Sequence, residues 1–245
     1  MPTSALLRTC GASRRDRSLP SRHLTTCVFK YSQAGNESVK IFGVSARPYR
    51  GVKPADRQAQ RRARLLDAGL DILGSESNSE ALTVRGLCRQ ANISARYFYE
   101  SFTDRDEFVG AVYDWVIADI ATTTQAAVAA TSPDRQARAG MANIVRSIAG
   151  DVRVGRLLFG TELADPVAVR KRGESAALLA ALLGQHGQQA LGLPDDERLK
   201  AASHFTVGGV GQAITAWLTG QVASTQYELV DQLAWIIDRL SRRRG

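Results

Sequence analysis

The chain has 245 residues, is 44 % hydrophobic and contains only 7 prolines. That composition suits a globular, mostly helical protein of one or two domains and argues against a strand-rich one, since few segments alternate Val, Ile, Thr and aromatics. The formal net charge of +8 is confined to residues 1–55, which hold ten Lys/Arg and two acids, while residues 56–245 hold 22 of each sign. Global charge therefore says nothing about the partners of the folded body, and any case for nucleic acid must come from local pattern.

Residues 1–55 are rich in Ser, Arg, Gly and Thr and lack helical periodicity. They read as a disordered basic tail: a spectator, an arm adding non-specific phosphate attraction, or an extension ahead of a start near Val44 or Val52. Cys10, Cys27 and Cys88 show no C-x-x-C spacing. They read as reduced thiols of a cytosolic protein, with no disulfide framework and no metal site. No secretory signal is expected, because the mildly apolar residues 4–7 are followed at once by Arg8.

From Asp56 the pattern turns helical. Asp56 can cap a first helix ending at Leu73, with Gly74 as its stop. Leu66, Gly69, Leu70 and Leu73 share one face, and Arg57, Arg61, Arg62 and Arg64 lie in its first half. A polar loop, 74–81, follows. Thr83 then caps a short helix to Gln90 whose apolar face is Val84, Leu87, Cys88 and Ala91. Asn92-Ile93-Ser94 is a tight turn, and Ser94 is placed to cap a helix over Ala95–Ser101. Asp104 and Glu107 have capping-box spacing before a helix with the buried stripe Phe108, Val112, Trp115 and Val116. Further helices are expected at 133–149, 151–158, 166–189, 195–220 and 225–243, broken at Pro133, Gly150, Pro166 and Pro194. Phe205 to Tyr227 carries no charge, but its three Gln, four Thr and several Gly suit a buried helix and loop, with no membrane span.

Two short helices joined by a tight turn form a helix-turn-helix, whose second helix presents side chains to the major groove. Phe98 and Phe102 should face the core with Ile93. Ala95, Arg96, Tyr97 and Tyr99 are then left toward solvent. Arg96 can bond a guanine edge in two places; Tyr97 and Tyr99 reach bases or phosphates.

The stretch from Leu82 to Phe108 resembles the DNA-binding signature of the TetR (tetracycline repressor) family. A capping Thr83, a small-residue helix, the turn Asn92-Ile93-Ser94, Tyr99 three before Phe102, and Arg105-Asp106-Glu107-Phe108 carry the likeness. The resemblance implies an all-α fold: an N-terminal three-helix DNA-binding domain (56–103) and a C-terminal helical ligand-binding and dimerisation domain (104–245). It implies phosphate contacts from Thr83, Tyr99 and Arg105, with Arg105 in the family's usual Lys position, and base contacts from Arg96 and Tyr97. Ser94 and Ala95 complete the expected DNA face. Asn92 replaces the common Gly, which Asn tolerates better than most residues because it accepts the left-handed conformation. Arg96 replaces a frequent small residue, so base preference does not carry over.

Dimerisation has support of its own. Gly209, Ala213, Ala216 and Gly220 form a narrow stripe of small residues, beside a bulky one of Val210, Ile214, Trp217 and Leu218. In the last helix Val230, Leu233, Ala234, Ile237 and Leu240 are joined by Leu229, Trp235 and Ile236. Apolar surface on so many sides must be covered more than once, as in a four-helix interface of two copies. Gly209, Ala213, Ala216, Gly220, Leu233 and Ile237 are the expected interface residues. For a small-molecule effector pocket, which the resemblance implies, the candidates are Tyr113, Trp115, Arg146, Phe159, Leu183 and His186; plain core packing accounts for most of them equally well.

An enzyme is not expected. His23, His186 and His204 have no paired metal-ligand spacing. Gly173-Glu174-Ser175-Ala176-Ala177 lacks the second Gly and the strand of a nucleophile elbow, and Gly208-Gly209-Val210-Gly211 lacks a phosphate-loop pattern. No catalytic residue, cofactor or metal is expected. The sequence reads as a DNA-binding transcriptional regulator in the cytoplasm and nucleoid. It would be a repressor that binds a near-palindromic operator of double-stranded DNA as a homodimer and is released by an effector. The alternative is a non-specific DNA-binding or scaffold protein acting through the basic tail.

Overall fold

A computed structural model describes residues 54–75, 82–160 and 165–241. The tail, apart from its last two residues, and most of the 74–81 loop lie outside the described residues, as do Cys10 and Cys27. The described residues form α1 (Pro54–Leu73), α2 (Val84–Ala91), α3 (Ala95–Tyr99), α4 (Arg105–Ala129), α5 (Gln136–Gly150), α6 (Val152–Phe159), α7 (Pro166–Leu191), α8 (Glu197–Leu218) and α9 (Gln226–Ser241), with one 3₁₀ turn at Pro133–Arg135. No strand occurs among them.

The helix starts follow cap chemistry. Asp104, Asp151, Asp165 and Asp196 each accept a hydrogen bond from a backbone N–H in the first turn of the helix they precede. The first helix begins at Pro54, ahead of the expected cap Asp56 and inside the expected tail; proline suits the first helical position, where its missing N–H has no intrahelical acceptor. α8 stops at Leu218, short of the expected 220. Gly220 takes the left-handed conformation (φ 75°), which ends the helix. Of the residues between Phe205 and Tyr227, those to Leu218 are therefore helix and the next are a turn. No helix among the described residues is long and apolar enough to cross a membrane.

α4 packs on α5 and α7, α9 on α5, α8 on α7, and α1 on α2, α4 and α6. One continuous set of buried side chains runs from Leu65 in α1 through Phe108 and Val112 in α4 to Leu233 in α9. Gly69 allows the close crossing of α1 and α4: a methyl group there would stand 2.5 Å from the Phe108 ring and 2.7 Å from Val112. Ion pairs reinforce the junction. Arg153, at the start of α6, is held by Asp151 and reaches Asp67 (3.2 Å) and Asp71 on α1. Lys171 on α7 meets Asp114 on α4 at 2.9 Å.

Candidate nucleic-acid interface

Thr83 ends an extended stretch, and its hydroxyl accepts from Gly86 N at 3.1 Å, which fixes the start of α2. Leu87, Cys88 and Ala91 are buried against α1. Burial pushes the Cys88 thiol pKa up, so it behaves as a small apolar filler. α2 ends where Asn92 adopts the left-handed conformation (φ 51°, ψ 51°), as the residue type allowed. Asn92 N donates to Arg89 O and Ile93 N to Cys88 O, with Ile93 buried beneath. This is a Schellman ending, and it sets the angle at which α3 leaves.

α3 is a short platform on an aromatic floor. Phe98 is wholly buried; its ring centroid lies 5.5 Å from those of Phe102 and Phe108, and Phe102 and Phe108 meet edge-on at 5.0 Å. With Phe98 turned down, Ala95, Arg96, Tyr97 and Tyr99 are exposed; the Arg96 side chain is 85 % accessible and Tyr99 59 %. Ser94 occupies the N-cap position but its hydroxyl makes no capping bond, so it stays on the exposed side. All five residues expected to face outward between Ser94 and Tyr99 are exposed.

The arginines of α1 do more than sequence periodicity indicated. Arg62 donates to Ser101 O (3.2 Å) and lies over the Phe102 ring, Arg64 donates to Ala91 O (2.7 Å), and Arg61 stacks 4.2 Å above the Tyr97 ring. They tie the turn and α3 to α1. The signal was present as four arginines on one half-helix, but their acceptors lie 27 to 39 residues away and only the fold brings them close.

Arg105, the expected phosphate contact at the start of α4, has partners within the chain. Its guanidinium is committed within the molecule: Nε donates to Leu82 O (3.2 Å), Nη1 to Asp106 (2.8 Å) and Nη2 to Asp165, the cap of α7. Burial would lower its pKa, but Asp165 and Asp106 outweigh this and raise it. It braces α4 against the start of α7. The Asp104–Glu107 box is also shifted by one residue. Asp104 accepts from Glu107 N (2.8 Å), while the Glu107 carboxylate accepts from Thr103 N (2.6 Å) and the Thr103 hydroxyl, which hold its pKa below the usual range.

The expected effector residues differ in their surroundings. Tyr113 is 0 % exposed, and its hydroxyl donates to Leu157 O at 2.9 Å, so it is core. Trp115 and Phe159 pack against that core; Leu183 and His186 are half-buried on α7. Arg146 faces outward and donates to Asn143 Oδ1, so it offers no inward charge.

The expected dimer stripe is split. Gly209 is exposed, Ala213 and Ala216 are half-buried, Gly220 has left the helix, Leu233 is buried in the core, and Ile237 packs on it. The bulky stripe of Val210, Ile214 and Trp217 turns inward. The large apolar side chains that α8 and α9 leave exposed include Phe205 (68 %), Leu218, Tyr227, Trp235 (60 %), Ile236 and Leu240. α9 therefore buries Leu229, Val230, Leu233 and Ala234 while leaving the apolar Trp235, Ile236 and Leu240 exposed.

The described residues form a braced helix-turn-helix ahead of a larger helical body. No protein-family model and no curated protein matches the sequence. Solved structures do. A TetR-family transcriptional regulator from Syntrophomonas wolfei matches with a TM-score of 0.62 and 11 % identity, over 75 % of this chain and 95 % of that one. The fatty acid degradation regulator FadR from Bacillus halodurans matches at 0.58 and 12 %, over 74 % and 98 %. FadR from Bacillus subtilis, in complex with stearoyl-CoA, matches at 0.55 and 12 %, over 71 % and 96 %. The chain has the TetR-type regulator fold.

Proposed function

We propose that this protein is a transcription regulator that binds a near-palindromic operator as a homodimer, and that it acts as a repressor in the cytoplasm and nucleoid. One observation carries the reading: Arg96, Tyr97 and Tyr99 stand outward on a short helix that is held from below by Phe98, Phe102 and Phe108. An α-helix fits the major groove, and a guanidinium and phenols are the groups that bond base edges and phosphates there. In this reading Arg96 and Tyr97 read bases, while Thr83, Ser94, Ala95 and Tyr99 meet the backbone. Residues 56–103 serve DNA binding and 104–245 serve dimerisation and effector response. The outward apolar surface of α8 and α9 pairs with its copy, which spaces two recognition helices about 34–36 Å apart, one turn of DNA.

A small-molecule effector completes the proposal, supported by the stearoyl-CoA complex of the Bacillus subtilis neighbour. In this reading the effector acts on the packing of residues 104–245 and so shifts the spacing of the two recognition helices. The test is nuclease footprinting on neighbouring intergenic DNA. The proposal expects a short inverted repeat, protected equally by the full chain and by a chain lacking residues 1–50. Binding that is weak, steeply salt-dependent and lost with the tail would replace it with tail-driven, non-specific association.

A further inference from the structure

Glu100 has no part in the reading so far, yet it joins the residues that matter most to it. It sits at the C-cap of α3. One carboxylate oxygen accepts from Arg96 Nε at 3.2 Å, and the other lies 3.9 Å from Arg61 Nη2. Arg61 in turn stacks on Tyr97. Helix stability does not account for Glu100. An acid at a helix C-terminus opposes the helix dipole, and Arg preceding Glu is the weaker order for a pair four residues apart.

The chemistry of arginine gives it a different role. A guanidinium can grip a guanine edge from the side, through Nε and one Nη, or from the end, through both Nη groups. With Nε occupied by Glu100, the end remains for O6 and N7 of guanine. We propose that Glu100 is a specificity-determining positioning residue: it turns Arg96 end-on toward a guanine and, through Arg61, keeps the Tyr97 ring beside it. This rests on the DNA-binding reading above. A carboxylate close to the DNA backbone also repels phosphates, so Glu100 lowers affinity for every sequence while sharpening the choice among them.

The test uses the full chain and duplexes with a randomised centre, enriched by rounds of binding. Comparing wild type with Arg96→Ala identifies the base pair that Arg96 reads. At that pair, wild type should prefer guanine over adenine by about 10-fold or more. Glu100→Ala should bring the preference to within about 3-fold of parity while binding random duplex more tightly. Glu100→Gln keeps the acceptor for Nε and should recover most of the preference, while also gaining non-specific affinity. Helical content should be unchanged in both, because Glu100 is exposed. The proposal is overturned if Glu100→Ala leaves the guanine preference intact, or changes preference only at another pair, as direct contact to a cytosine would. If wild type enriches no motif at all, the DNA-binding reading fails together with it.

Discussion

At the recognition helix, Tyr97 and Tyr99 point outward beside Arg96 over a floor of three phenylalanines. Toward the other end of the chain, Phe205 on α8 and Trp235, Ile236 and Leu240 on α9 are exposed, while Leu229, Val230, Leu233 and Ala234 of α9 are buried. Both regions are sealed beneath and both expose aromatic rings. The tips differ. The first surface ends in phenols and guanidiniums, which keep hydrogen-bond donors in reach of a polar partner. The second ends mostly in carbon, which is satisfied by another apolar surface. Exposure alone marks neither region; the chemistry at the exposed end says what should cover it.

Substitution can separate floor from tip in each region. Phe98→Ala removes a wholly buried ring and should cost about 3–5 kcal/mol of folding free energy, read by thermal or chemical denaturation. Leu233→Ala, in the floor of the second region, should cost about 2–5 kcal/mol by the same measurement. Asp165→Ala removes both the α7 cap and the partner of Arg105, at about 2 kcal/mol. Trp235→Glu, one residue beyond Ala234 but outward, should leave the fold of the single chain within about 0.5 kcal/mol. In sedimentation it should shift the protein from dimer to monomer. If Trp235→Glu unfolded the chain as Leu233→Ala does, the two-sided description of α9 would be wrong.

Asp165 also gives the fold a pH signature. Burial favours its neutral form, but Arg105 and the backbone N–H groups of Val167 and Ala168 outweigh this and hold the carboxyl below its usual range. A depressed folded-state pKa stabilises above the unfolded value, about 3.9, and that stability is lost as pH falls through the folded value. Between about pH 5 and 3 the wild type should therefore lose more stability than Asp165→Asn does, measured by denaturant titration at each pH.

Much of the helix-turn-helix was legible in the sequence because its signals are local. The left-handed Asn92, the caps at Thr83 and Asp104, and the four-residue spacing of Phe98 and Phe102 each act within a turn or two of helix. The brace from Arg105 to Asp165 was not legible, because the two lie 60 residues apart and no local pattern announces their contact. The effector candidates were ambiguous in the sequence for another reason. A core tyrosine such as Tyr113 and a pocket tyrosine have the same periodicity, and only the donated bond to Leu157 O distinguishes them. Leu233 and Trp235 lie two residues apart on a helix apolar nearly all round, so sequence alone could not say which faced inward.

The central claim is that the outward side chains of α3 read DNA, and operator affinity of Arg96→Ala and Tyr97→Ala at one fixed salt concentration tests it most directly. Each variant should fold like the wild type and lose about 1–3 kcal/mol of discrimination between the protected site and random duplex. Unchanged discrimination in both folded variants would contradict it.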